Sequence, residues 1–205
     1  MTVSLHGWRA VWQGLGAPVA DEALFGELIA RYSEKHRHYH TLQHLRDCMR
    51  QLDAARNLAL RPAEIELALW FHDAYYEPQH QDNEARSADW ARQSVRQAGL
   101  PGDSGERVHA MVMATRHEAA PHEPDTQLLV DVDLSILGAP PDRFAQSSAQ
   151  IRAEYAHVSD AQFREGRKRI LEGFLQRPRL YSTEHFHTAL ERQARANLQA
   201  EIARL

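Results

Sequence analysis

The chain has 205 residues, with 24 Lys or Arg, 28 Asp or Glu and a formal charge of −4. Apolar residues make up 43% and charged ones 25%, the balance of a folded chain rather than a disordered one. A single Cys excludes a disulfide framework and the zinc-finger patterns, and mild acidity argues against a nucleic-acid coat, so DNA is not an expected partner.

The start, Met1 to Trp8, lacks the basic and apolar regions of a signal peptide, and no apolar run approaches the ~20 residues that span a bilayer. A cytoplasmic location with no membrane partner is the expectation. Beyond that point the helical period dominates. Asp21 is an N-cap candidate for a helix to Tyr32 that puts Leu24, Phe25, Leu28 and Ile29 on one stripe. From Thr41, the residues Leu42, Leu45, Met49 and Leu52 share a face. Pro62 suits a first turn, and Ile65 to Phe71 is apolar nearly all round, the mark of a buried helix. Asp82 to Gln97 reads as a polar amphipathic helix ending before Gly99 and Pro101, and Glu106 to Thr115 follows. After a Pro-broken stretch from Ala119 to Pro124 comes Leu128 to Leu137, closed by Gly138 and Pro140. Pro141 to Tyr155, Asp160 to Leu175 and Thr183 to Leu205 complete the series. Strand evidence is scarce, so the expected fold is all-α, one domain of roughly ten helices.

Thirteen histidines ask for chemistry. Four stretches carry residues that neither a core nor a surface needs. His40 and His44 project from one helical face. His72-Asp73 ends the apolar helix, where His suits the dipole but a carboxylate does not. Asp131 and Asp133 lie in an otherwise apolar helix and point ~200° apart, so one is expected to be a ligand and the other a capping or supporting group. His117 closes a helix, with His122 beyond it. Separate helices thus offer His and carboxylate groups, the arrangement of a metal site in a helical bundle.

The order His44, His72-Asp73, then an Asp roughly sixty residues on resembles the H…HD…D signature of the HD superfamily of metal-dependent phosphohydrolases. The wider wording is similar to one branch, the small bacterial proteins described as predicted metal-dependent HD phosphohydrolases. The matching stretches are Arg37-His-Tyr-His-Thr-Leu-Gln-His44, with Tyr32, and Phe71-His-Asp-Ala-Tyr-Tyr76. Asp82 to Ala88, Asp131 to Gly138, Arg152 to Tyr155, Gly166-Arg167 and Glu191 to Asn197 continue the match. The resemblance implies a helical-bundle HD-type core over about residues 30–140, with additional C-terminal helices over about 141–205. It implies His44, His72 and Asp73 as metal ligands, and favours Asp133, followed by Leu134, over Asp131 as the fourth.

Two imidazoles and two carboxylates suit one divalent ion, Mn, Fe, Co, Ni, Zn or, less readily, Mg. The expected reaction is attack of metal-activated water on a phosphate ester, with a nucleotide among the candidate substrates. Glu84 or Glu77 would orient or deprotonate the water. Arg37 would bind phosphate, and His40 and His117 would polarise the leaving group or widen the site for a second metal. Two alternatives stand beside this reading. One is a metal- or nucleotide-binding regulatory module without turnover. The other is an HD-type di-iron oxygenase, although the general carboxylate-bridged di-iron pattern needs two Glu-x-x-His pairs. Glu154…His157 is one, and Glu77…His80 carries a helix-spoiling Pro78. The last helix, with Leu190, Leu198 and Ile202, packs either internally or in a homo-oligomer.

Overall fold

The computed structural model describes residues 3–205. It is all-helical, as the periodicity predicts, and the described residues form ten α-helices and no strand. In chain order these are α1 (Leu5–Gly14), α2 (Glu22–Arg31), α3 (Leu42–Ala54), α4 (Pro62–Phe71) and α5 (Asn83–Gln97). There follow α6 (Gly102–Ala114), α7 (Pro124–Asp133), α8 (Pro141–Glu154), α9 (Asp160–Leu175) and α10 (Glu184–Ile202). Short 3-10 turns cover Arg56–Leu58 and Leu134–Gly138. No helix among the described residues is long and apolar enough to cross a membrane.

Helix α4 is the axle. Every residue from Glu64 to Phe71 is buried, and α1, α3, α5, α6 and α7 pack around it. Pro62 opens it, where the missing N–H costs nothing. The segment entering it is anchored from a distance: Asp125 of α7 accepts the N–H groups of Leu60 at 2.7 Å and Arg61 at 3.0 Å. Buried Glu64 is matched by a bidentate pair to Arg107 at 2.6 and 2.7 Å. At the N-terminal side, Trp8 packs edge-on against Trp12 and Trp70, with centroids 5.4 and 5.3 Å apart.

Several elements depart from the sequence reading, among them α6, which begins at Gly102 rather than Glu106. Helix α1 was not anticipated, although Trp8, Val11 and Trp12 have helical spacing and are all buried. Helix α7 begins at Pro124 rather than Leu128, because Pro serves as its first helical residue rather than as a breaker. It stops at Asp133, and Leu134–Gly138 tightens into a 3-10 turn. Gly138 lets that turn lie close against α10: a Cβ there would stand 2.6 Å from Leu190 Cβ.

Candidate metal centre

Three helix ends converge beneath a cavity of about 990 Å³. His44 comes from the first turn of α3, His72 and Asp73 from the chain leaving α4, and Asp133 from the end of α7. The Nε2 atoms of His44 and His72 are 3.1 Å apart. Asp133 Oδ1 lies 3.0 Å from His44 Nε2 and 3.6 Å from His72 Nε2. Asp73 Oδ2 lies 3.0 Å from His72 Nε2 and 3.5 Å from His44 Nε2. Donor atoms ~2.1 Å from one ion are separated by about 3.0–3.4 Å, so these gaps have the dimensions of a coordination shell.

Adjacent residues on a regular helix diverge by ~100°, so His72 and Asp73 converge only because the chain turns there. Two side chains hold that turn. Tyr32 Oη donates to Trp70 O at 3.2 Å and accepts Asp73 N–H at 3.3 Å. Arg37 donates to the carbonyls of Asp73 at 2.6 Å, Ala74 at 3.0 Å and His40 at 3.2 Å, and to Glu34 at 3.0 Å. The His72 ring is fixed in turn: its Nδ1 meets Leu69 O at 2.7 Å, which leaves Nε2 as the lone-pair nitrogen facing the cluster.

The electrostatics are those of a charge-dense, buried site. Burial opposes ionisation of Asp73, but His72 and His40 hold it far below the usual carboxylate range. Asp133 is also held well down, by hydrogen bonds from His117 and His44 that override burial. His72 is pushed up to about 9 by Asp73 and Asp133 despite burial, and a divalent cation would take over the role of that proton. Asp73 Oδ2 is buried with no well-aligned hydrogen bond and faces the two imidazole nitrogens at 3.0 and 3.5 Å. A buried carboxylate oxygen facing two imidazole nitrogens fits a cation.

The expected residues are distributed unevenly. Asp133, not Asp131, reaches the imidazoles. Asp131 is fully buried on the opposite side, accepting Ser182 N–H at 2.8 Å and Thr183 N–H at 2.7 Å to cap α10. His117 Nε2 meets Asp133 Oδ2 at 3.0 Å, and its φ of 56° places it in the left-handed region, where Arg177 holds its carbonyl. His40 and Glu84 line the cavity. Arg37 corrects an expectation: it is 4% exposed and its guanidinium is spent on carbonyls, so it shapes the site instead of binding phosphate. Glu77 is a second correction, since it is exposed and not among the residues lining the cavity. Exposed His122 does not line it either.

Two residues escaped the sequence reading. Cys48 Sγ lies 3.7 Å from both ring nitrogens of His44, and His44, Cys48, His72 and Asp133 together form a group able to hold a metal ion. Its position four residues after His44 on one helical face was the available signal. Burial and the charges of Asp133 and Asp73 push its thiol up in the metal-free protein. Glu154, weighed only as part of a Glu-x-x-His pair, instead binds the 38–40 loop, so it is committed away from any iron pair. It falls on the stripe Phe144, Ser147, Ile151, Glu154, where a carboxylate among core positions was visible. Helix α9 contributes Phe163, Arg167, Ile170 and Phe174 to the wall of the same cavity, so the cavity extends well beyond residue 140. No family model matches the chain, and no curated protein or solved structure matches it either.

Proposed function

We propose that the protein is an HD-type metal-dependent phosphohydrolase acting on a small phosphate ester, with nucleotides among the candidate substrates. The observation that carries this reading is the set of four donor atoms, two imidazole nitrogens 3.1 Å apart and two carboxylate oxygens each 3.0–3.6 Å from those nitrogens. His44, His72, Asp73 and Asp133 would hold the ion. A bound divalent ion supplies Lewis acidity toward a phosphoryl oxygen and a lowered pKa for water.

The chain's own residues do the rest. Arg37 and Tyr32 keep Asp73 and His72 converged. His117 takes one oxygen of Asp133, leaving the other for the cluster. Glu84, which lines the cavity, would accept a proton from water, and Arg177, whose guanidinium holds the His117 carbonyl, lines the same cavity. A cation-binding cluster sharing its cavity with a guanidinium suits an anionic ester.

The test is elemental analysis of the purified protein beside Asp133→Ala, followed by phosphate release from aryl phosphates and nucleotides with the identified metal restored. Near-stoichiometric metal in the wild type, loss of that metal in the variant and metal-dependent phosphate release are expected. Metal retained equally by Asp133→Ala, or no release from any ester by the loaded protein, would overturn the reading.

A further inference from the structure

Glu154 closes α8, where a carboxylate opposes the helix dipole, yet it is 5% exposed. Five donors surround it. Oε1 accepts the backbone N–H groups of His38, Tyr39 and His40 at 2.8, 2.7 and 2.9 Å. Oε2 accepts Tyr76 Oη–H at 2.9 Å and meets His40 Nδ1 at 2.8 Å. These bonds hold its carboxyl down at about 2 against burial, the hydrogen bond and charge of His40 leading. The His40 ring is stacked on Tyr76 with centroids 3.9 Å apart, and both rings line the cavity above the donor cluster. Whether the imidazole is neutral or charged, a proton on Nδ1 serves the carboxylate, so Nε2 is the ring nitrogen left for the cavity.

We propose that Glu154 is a positioning residue: it fixes the tautomer and orientation of His40 so that Nε2 meets the reacting phosphoester and its water. The inference rests on the hydrolase reading and makes the C-terminal helices part of the reacting site. A merely structural latch for the 38–40 loop would need only Oε1; the pairing of Oε2 with a cavity-lining imidazole is what points to chemistry.

Glu154→Gln separates the two roles. The amide oxygen still accepts the three backbone N–H groups, while the amide NH₂ now faces His40 Nδ1 and drives the proton to Nε2. With 4-nitrophenyl phosphate and the metal found in the native protein, kcat should fall about 10²-fold with KM within a few-fold. Metal content should stay near wild type, while the thermal midpoint falls but the variant still folds, because a neutral amide replaces an ionised carboxylate. Ring ¹⁵N shifts of the metal-free protein should report an Nδ1 proton on His40 in the wild type and its loss in the variant. His40→Asn should lower kcat similarly, and the double variant should fall no further, because Glu154 acts through His40. An unaltered kcat in a folded, metal-loaded Glu154→Gln, or additive losses in the double variant, would overturn the proposal while leaving the hydrolase reading intact. If Glu154→Gln does not fold, His40→Asn alone decides: a folded, loaded His40→Asn with wild-type kcat overturns it. A loaded wild type that releases no phosphate overturns both.

Discussion

Asp131 and Asp133 differ by two positions and have opposite duties. An α-helix turns them ~200° apart, so Asp133 faces the imidazoles while Asp131 faces the start of α10. Replacing Asp133 with Ala should abolish metal retention. Asp131→Ala should leave metal content unchanged and cost ~1–3 kcal/mol in denaturant unfolding, because the Ser182 and Thr183 N–H groups lose their acceptor. Arg37 behaves likewise: Arg37→Ala should cost at least ~2 kcal/mol, since three backbone carbonyls lose a donor. Reduced metal content should accompany that loss, because the turn through Asp73 would relax.

At the scale of elements, α10 and α9 illustrate opposite regimes of packing. The 3-10 turn Leu134–Gly138 lies against α10, and a Cβ on Gly138 would meet Leu190 Cβ at 2.6 Å and Leu190 O at 3.0 Å. Gly138→Ala should therefore lower stability by ~1–3 kcal/mol and displace the segment that follows Asp133. Helix α9 is less embedded, with Leu171 its one fully covered side chain and Ile170 56% exposed beside the cavity. A Cβ on its Gly166 would meet nothing within 4 Å. Gly166→Ala should stabilise the helix by about 0.5–1 kcal/mol in thermal unfolding, with kcat reporting whether the added methyl crowds the cavity.

For the whole molecule, the buried carboxylates set the response to pH. Glu154 falls from an ordinary 4.5 to about 2 on folding, and Asp73 and Asp133 are also lowered. A depressed carboxylate contributes fully above its unfolded value, and that contribution is lost as pH falls through the folded value. Denaturant midpoints of the metal-free protein should therefore decline from about pH 4.5 toward 2, and on the alkaline side the stability contributed by His72 should be lost as pH rises from about 6.5 toward 9. Metal binding adds stability by linkage, so a chelator should lower the thermal midpoint of native protein, and Asp133→Ala should show no such drop.

Local signals in the chain were enough for the all-α class and the buried α4, because apolar period and helix caps are short-range properties. Helix direction alone left Asp131 and Asp133 open, and only the resemblance favoured Asp133. The α1 tryptophans and Cys48 were equally periodic, but nothing within their own segments said what they would face. Only tertiary structure could assign Arg37, Glu154 and Asp131. Each is a charged group whose partners lie elsewhere: Arg37 36 residues from the Asp73 carbonyl, Glu154 114 residues from His40 and Asp131 52 residues from Thr183. A buried charge is tolerated only where its hydrogen bonds are met, and which backbone groups meet them is decided by how the helices pack.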